Sequence, residues 1–208
     1  MTYSVKELFY TLQGEGAQTG RPAVFCRFSG CNLWSGLEKD RSTAKCNFCD
    51  TDFIGTDGEN GGKYKTAEEL ARKAADLWPG GGKPYIVCTG GEPLLQLDVK
   101  LIKAFQEQGF EVAVETNGTI EAPKELDWVC VSPKVMDKLV QTTGDELKLV
   151  YPQNNIDPED VKHLNFTHYF LQPKDEVGKD HTGSVIDYCR THPMWRLSLQ
   201  THKIIGIN

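Results

Sequence analysis

Tyr85-Ile86-Val87-Cys88-Thr89-Gly90-Gly91-Glu92-Pro93 is a continuous apolar run closed by a Gly-Gly-Glu-Pro turn, and Leu94, Leu97, Leu101, Ile102 and Phe105 follow at helical spacing as far as Gly109. An unbroken apolar run is how a strand buried on both faces reads, and such strands belong to parallel sheets. Strand, polar turn and helix together make one repeating unit. The same pattern recurs at Ala23 to Phe28, at Glu111 to Glu115 before Thr116-Asn117-Gly118, at Trp128 to Val131 before Ser132-Pro133-Lys134, at Glu146 to Val150 before Tyr151-Pro152, and at His168 to Leu171 before Gln172-Pro173-Lys174-Asp175. Strands that each end in a polar or Gly/Pro group predict a site assembled along their C-terminal edge. The fold class is α/β, and the predicted architecture is a partial (β/α) barrel of about six parallel strands with incomplete helices. A doubly wound open sheet is the alternative, and its first loop lacks the G-x-G-x-x-G phosphate signature.

Between these units the chain is less regular. Glu7 to Leu12 is apolar-rich and leads into Gln13-Gly14-Glu15-Gly16, a predicted hairpin turn. Residues 56–65 are Gly-rich and polar and read as a linker or flexible loop. Thr66 is placed to cap a helix, with Glu69 at the capping-box position, Leu70, Ala74 and Leu77 on one face, and Pro79-Gly80-Gly81-Gly82 as its stop. The segments around Pro123 and 137–143 are too short for full helices. Thr182 to His192 can form one before the last apolar stretch, Trp195 to Leu199.

The chain has 208 residues, which suits one domain but is short for a complete eightfold barrel of about 250. Its net charge of −6 supplies no basic field, so nucleic acid is not an expected partner. The N-terminus has no apolar signal region and no run approaches the roughly 20 apolar residues that span a bilayer, so a cytoplasmic protein with no membrane partner is expected. Seven cysteines is an odd number, better read in a reducing compartment as metal ligands and buried thiols than as a disulfide framework. Cys26, Cys88, Cys130 and Cys189 sit inside apolar segments and read as small buried hydrophobes.

The other three, Cys31, Cys46 and Cys49, follow the Ala23 to Phe28 strand in a C-x14-C-x2-C arrangement. A structural zinc site is usually closed by four Cys or His ligands, whereas a cubane iron–sulfur cluster held by three thiolates keeps one iron open to a small molecule. No His lies within the loop. A zinc knuckle borrowing Cys26 or Asp50 as its fourth ligand is the other reading of this stretch. The 32–45 insertion, around Leu33-Trp34-Ser35-Gly36-Leu37, is longer than metal binding requires and is expected to shape or cover a site. Trp34 either fixes that insertion or touches ligand. Arg27 stands in an apolar strand; it either snorkels to solvent or points inward toward an anion such as a ligand carboxylate.

The three cysteines after the first parallel strand, with Thr89-Gly90-Gly91-Glu92-Pro93 after the next, resemble the radical S-adenosylmethionine enzymes. The long spacing between Cys31 and Cys46 departs from most of that superfamily. Together with Tyr10 to Gly16, Cys49-Asp50-Thr51, Glu115 to Gly118, Val131 to Lys134 and Gln200-Thr201-His202-Lys203, it is similar to the 7-carboxy-7-deazaguanine synthases over the whole chain. The resemblance implies a single radical S-adenosylmethionine domain over 1–208 and a [4Fe-4S] cluster on Cys31, Cys46 and Cys49. S-adenosylmethionine would lie against Phe48, Cys49, Asp50, Gly91, Ser132, Pro133, Lys134, Gln172, Pro173, Lys174 and Asp175, its amino group received by Glu92 and neighbouring carbonyls. Mg2+ would bind at Thr51, a hard oxygen for a hard cation. The substrate, 6-carboxy-5,6,7,8-tetrahydropterin, would meet Leu12, Gln13, Gly14, Arg27, Thr89 and the chain terminus at Asn208, where relatives often end in proline.

The implied chemistry is a lyase reaction of the queuosine-precursor pathway: a 5′-deoxyadenosyl radical removes hydrogen from C6, and ring contraction and loss of ammonia give 7-carboxy-7-deazaguanine. An electron donor such as flavodoxin and a homodimer are implied as well. Two further readings stay open at this point, a glycyl-radical activating enzyme and a zinc-stabilised binding module. No dedicated general base is legible. His202 and Lys203 read as anchors of a C-terminal strand, and His163, His168, His181 and His192 as ordinary surface or helix-end residues.

Overall fold

The computed structural model describes residues 2–207. In chain order the strands are β1 (Tyr3–Leu12), β2 (Pro22–Phe28), β3 (Gly62–Tyr64), β4 (Tyr85–Gly90), β5 (Glu111–Thr116), β6 (Trp128–Val131), β7 (Thr143–Tyr151), β8 (Asn165–Pro173) and β9 (Arg196–Leu197). The helices are α1 (Ala67–Leu77), α2 (Val99–Glu107), α3 (Pro158–Val161), α4 (Thr182–Thr191) and α5 (Thr201–Ile205). One sheet takes all the strands in the order β3-β1-β2-β4-β5-β6-β7-β8-β9. The β1 strand pairs antiparallel with β2 and β3, and every ladder from β2 to β9 is parallel.

Among the parallel strands, β2 and β4 to β9, the spatial order follows the chain order. A doubly wound sheet must reverse at a switch point, and this one does not, so the open-sheet alternative is excluded. The helices therefore gather on one face and leave the other to line a site. The order is also linear, with no ladder between β3 and β9 among the described residues, so the barrel is partial as expected.

Alternation along the strands divides the residues between the two faces. On the convex side Val24, Cys26, Ile86, Cys88, Val112 and Val114 pack against Leu70 and Ala74 of α1 and Leu101, Ile102 and Phe105 of α2. A second core joins Val131, Leu147, Leu149 and Leu171 to Val161 of α3 and Val185 of α4. Full burial of each Leu or Ile contributes about 1.5–3 kcal/mol, so this face holds the helices to the sheet. On the concave side Ala23, Tyr85, Val87 and Ala113 close the lower part of the half-barrel with Phe25 and Trp128. The charged and polar residues lie above them.

Several local expectations change. The helix expected from Leu94 is interrupted: Pro93–Leu95 form a single 3-10 turn, and α2 starts only at Val99, where the Asp98 side chain accepts from Leu101 N at 2.9 Å. At α1 the cap is as expected, with Thr66 accepting from Glu69 N at 3.1 Å. The 56–65 segment is pinned instead of being a free linker. Leu8 N donates to Glu59 O at 2.7 Å, Gly58 N to Lys6 O at 2.9 Å, and β3 forms the sheet edge. Gly61 is required there, because a Cβ would run into the carbonyls of Lys6, Thr56 and Gly58. His202 and Lys203, read as anchors of a C-terminal strand, instead lie in α5. Cys26, Cys88 and Cys130 are buried as expected, but Cys189 is half-buried on α4. No helix among the described residues is long and apolar enough to cross a membrane.

Candidate active site

The cysteine loop and the Gly-Gly-Glu-Pro loop are built as one unit. Gly30, at φ +91°, turns the chain out of β2 and presents its carbonyl to Glu92 N at 2.9 Å, while Gly91 N reaches Phe28 O at 3.4 Å. Gly91 packs so closely on Gly30 and Cys31 that an added Cβ would lie 2.7 Å from Cys31 Cβ. Glu92 is fully buried, and its carboxylate accepts from Leu94 N at 3.0 Å, Thr116 Oγ1 at 2.7 Å and Asn117 N at 2.8 Å. Burial pushes this carboxyl up against those hydrogen bonds. Glu92 is thus turned into the protein and is not the expected acceptor for a ligand ammonium.

Cys46 and Cys49 are carried by the end of the 32–45 insertion. Lys45 N and Cys46 N both approach Leu33 O, at 3.1 and 3.4 Å. Arg41 lies 4.1 Å over the Trp34 ring and donates to Asn47 O at 3.1 Å and Cys49 O at 3.0 Å. Trp34 itself is wedged edge-on against Phe53 at 5.6 Å. The insertion is therefore a brace for the Cys-x-x-Cys turn, and Trp34 fixes it.

The three thiols share one side-chain cluster with Leu33, Phe48 and Val135. Burial pushes up the thiols of Cys31 and Cys46; Lys134 opposes this at Cys46, and the Leu33 N–H, 3.4 Å from Cys31 Sγ, opposes it at Cys31. Among the described residues no three His, Cys, Asp or Glu groups converge on a single-ion position. A cubane assigns each thiolate to a different iron, so its ligands surround a cage instead of meeting at a point. Three unpaired thiols around an apolar cleft, with backbone donors and one lysine to offset charge, fit that donor set.

Beside the cysteines a cavity of about 410 Å³ opens at the C-terminal edge of the parallel strands. Leu12, Gln13, Gly14, Arg27 and Thr89 line one side of it. Phe48, Cys49, Asp50, Thr51, Gly91, Ser132, Lys134, Gln172, Pro173 and Asp175 also face it. Of the remaining expected residues, Pro133 and Lys174 lie outside the lining: the Pro133 carbonyl takes Gln153 Nε2 at 3.3 Å, and Lys174 pairs with Glu176 at 2.8 Å. Asn208 lies outside the described residues. Arg27 points inward, but its first anion belongs to the protein, since Nε donates to Glu7 Oε1 at 2.8 Å.

Among the cavity-lining groups that sequence reading did not assign to the site are Glu7, Glu15, Glu115, Lys148, His202 and Lys203. Lys148 is buried, with Nζ 2.6 Å from Glu15 Oε2 and 3.3 Å from Glu115 Oε1. The signal was present in β7, where Glu146 and Lys148 alternate with Leu147 and Leu149 and so must face away from the helices. At the cavity mouth α5 docks on the Gly14 turn through Thr201 N and Oγ1, 3.0 and 2.8 Å from Gly14 O. Lys203 bridges Asp50 at 2.5 Å and Asp175 at 2.6 Å. A Cβ at Gly14 would overlap the His202 ring, so a larger residue there would displace that side chain.

Residues 41–148 match the family model described as the radical SAM superfamily. The chain is 59% identical to the 7-carboxy-7-deazaguanine synthase of Caulobacter vibrioides and 57% identical to that of Burkholderia multivorans, in both cases over 100% of each chain. It also superposes on the crystal structure of QueE from Escherichia coli with a TM-score of 0.72 at 26% identity, covering 97% of this chain and 95% of that one. Full-length identity at this level, on a fold whose cysteine and Gly-Gly-Glu-Pro loops are locked together, is decisive: the chain belongs to the 7-carboxy-7-deazaguanine synthase family of the radical SAM superfamily.

Proposed function

We propose that this chain is a radical SAM lyase that converts 6-carboxy-5,6,7,8-tetrahydropterin to 7-carboxy-7-deazaguanine with loss of ammonia, a step toward queuosine. The observation that carries the reading is the cavity itself. Cys46 and Cys49 of the three-cysteine loop line it together with Gln13, Arg27 and Thr89, polar and cationic groups suited to a small oxygen-rich heterocycle. A glycyl-radical activating enzyme would need a docking surface for a polypeptide, and this pocket is built for a small molecule.

Cys31, Cys46 and Cys49 would hold the [4Fe-4S] cluster, which with S-adenosylmethionine supplies one-electron cleavage and hydrogen abstraction. Phe48, Asp50, Gly91, Ser132, Lys134, Gln172, Pro173 and Asp175, which line the cavity, would receive S-adenosylmethionine. Arg27 would orient the substrate carboxylate, and such positioning is worth a large part of the rate because it converts an encounter into a held geometry. Thr51, beside Asp50 on the same wall, would give Mg2+ a hard oxygen ligand while substrate oxygens supply others. The short helix α5 over the mouth restricts water and oxygen. An electron donor of the flavodoxin type, a homodimeric assembly and a cytoplasmic setting complete the proposal, the last in keeping with seven unpaired cysteines.

The test is anaerobic reconstitution with iron and sulfide, followed by reduction in the presence of S-adenosylmethionine, Mg2+ and the carboxylated pterin. 7-Carboxy-7-deazaguanine and ammonia should form, and Cys31→Ala, Cys46→Ala or Cys49→Ala should each abolish the brown chromophore. Stoichiometric zinc with no iron in anaerobically prepared protein would overturn the proposal.

A further inference from the structure

Three strands and one turn converge on a buried charge cluster in the concave face. In β7 the alternation that sends Leu147 and Leu149 into the helix-covered core turns Glu146 and Lys148 the other way. Lys148 Nζ meets Glu15 Oε2 at 2.6 Å, from the turn after β1, and Glu115 Oε1 at 3.3 Å, from β5. Glu115 Oε1 also accepts from Gln13 Nε2 at 3.0 Å. Glu146 accepts from Ala17 N at 2.9 Å and lies 3.5 Å from Cys130 Sγ. The turn from Gln13 to Ala17 is thereby held at three points by concave-face side chains.

Depth distinguishes the members of this cluster. The side chain of Lys148 is 5% exposed, against 15% for Glu15 and 22% for Glu115, so the cation lies behind and the carboxylates stand in front of it, toward the cavity. Burying an ammonium this deeply costs several kcal/mol before pairing. A fold that needed only a spacer here would be served by Met or Leu. Two neighbouring carboxylates, by contrast, cannot both stay ionised in a dry site without a cation.

Resting on the function proposed above, we infer that Lys148 is a positioning residue that holds Glu15 and Glu115 as a pair of charged acceptors facing the cavity, where they receive N–H donors of the bound heterocycle. Carboxylates accept only, and a 2-amino-pyrimidinone ring presents adjacent amino and ring N–H groups to such a pair. The electrostatics agree with the geometry. Burial works to raise the Glu15 carboxyl, but the charge and hydrogen bond of Lys148, with Gln200 and Gln172, hold it below the ordinary range. Burial works against the Lys148 ammonium, and Glu115, Glu15, Cys130 and Glu146 outweigh it. Glu146 is itself pushed up by burial. The groups facing the cluster are thus Glu15 from the turn, Tyr85 from β4, Glu115 from β5, Cys130 from β6 and Glu146 beside Lys148 on β7.

The test is calorimetric binding of 7-carboxy-7-deazaguanine to the full-length, cluster-reconstituted protein between about pH 5.5 and 8, a window above the ordinary carboxylate range in which the ligand's own carboxyl stays ionised. All variants carry His202→Gln, because that ring lines the cavity and histidine ordinarily titrates in this window. With Lys148 and Glu15 in place, affinity should be flat across the window. Lys148→Met should bind about tenfold or more weakly, the loss of one charge-assisted hydrogen bond. It should also acquire a titration inside the window as the carboxylate pair loses its cation. Adding Glu15→Gln, which breaks the pair, should remove that titration, and Lys148→Arg should restore the flat profile. A spacer role would leave the profile flat in every variant. If Lys148→Met does not fold, a flat parent profile with a tenfold loss in Glu15→Gln supports the inference. A parent that titrates in the window, a Lys148→Met variant with unchanged affinity and a flat profile, or a Glu15→Gln variant of unchanged affinity overturns it. Failure of turnover with this binding pattern intact would instead count against the proposed reaction.

Discussion

Arg27 Nε donates to Glu7 Oε1 at 2.8 Å across the antiparallel β1–β2 ladder, where the two residues are register partners. Glu7 holds the guanidinium through Nε, and both residues line the cavity, where the planar fork of an arginine suits a ligand carboxylate. Arg27→Ala should cut kcat/KM for the carboxylated pterin by about 30- to several-thousand-fold, the equivalent of roughly 2–5 kcal/mol for a charged hydrogen bond in a dry site. Glu7→Gln, which keeps a weaker acceptor, should cost far less. Cluster absorption should be unchanged in both, and steady-state kinetics beside the visible spectrum checks this.

Glu92 is predicted to act on stability, not on ligand binding. Its carboxylate joins the Gly-Gly-Glu-Pro loop to the end of β5 through three hydrogen bonds. Glu92→Ala strands those buried donors and should lower unfolding free energy by about 3 kcal/mol or more. The pH sign follows from the raised carboxyl. A carboxyl raised on folding favours the native state below its unfolded value, and that contribution is lost as pH rises through the folded value. Glu92→Gln should therefore flatten this part of the wild-type stability profile above the ordinary carboxylate range, as read by urea titration at a series of pH values.

The bridge from Lys203 to Asp50 and Asp175 should control the local docking of α5. These groups are 37–51% exposed, so solvent screening keeps the bridge to about 1 kcal/mol or less. Lys203→Met should speed amide exchange in residues 201–205 while leaving the global melting temperature nearly unmoved, a pattern of local opening.

Thr51→Ala should weaken Mg2+ activation without bleaching the cluster. Activity measured against Mg2+ concentration in treated protein gives the comparison. Full wild-type activity after exhaustive chelation would count against magnesium.

Much of this was legible in the sequence because two signals were local. Apolar runs ending in polar groups located six of the parallel strands, and the cysteine loop and the Gly-Gly-Glu-Pro loop both contribute residues to the cavity lining. The brace made by Arg41 and Trp34 was not legible, since it depends on a carbonyl eight residues away turning toward the guanidinium. Glu92 was misread because a carboxylate next to glycines suits a ligand contact as well as a loop clamp, and only burial separates the two. Lys148, Glu15 and Glu115 come from distant parts of the chain, and nothing short of strand register brings them together. The start of α2 moved because Asp98 out-competes Pro93 as a helix origin by capping it.

The most direct test of the central claim supplies 6-carboxy-5,6,7,8-tetrahydropterin deuterated at C6 to the reduced, reconstituted enzyme with S-adenosylmethionine and follows the label by mass spectrometry. Deuterium should appear in 5′-deoxyadenosine or recovered S-adenosylmethionine while 7-carboxy-7-deazaguanine accumulates. No label transfer and no deazaguanine, with a glycine radical forming on an added partner protein, would contradict the account.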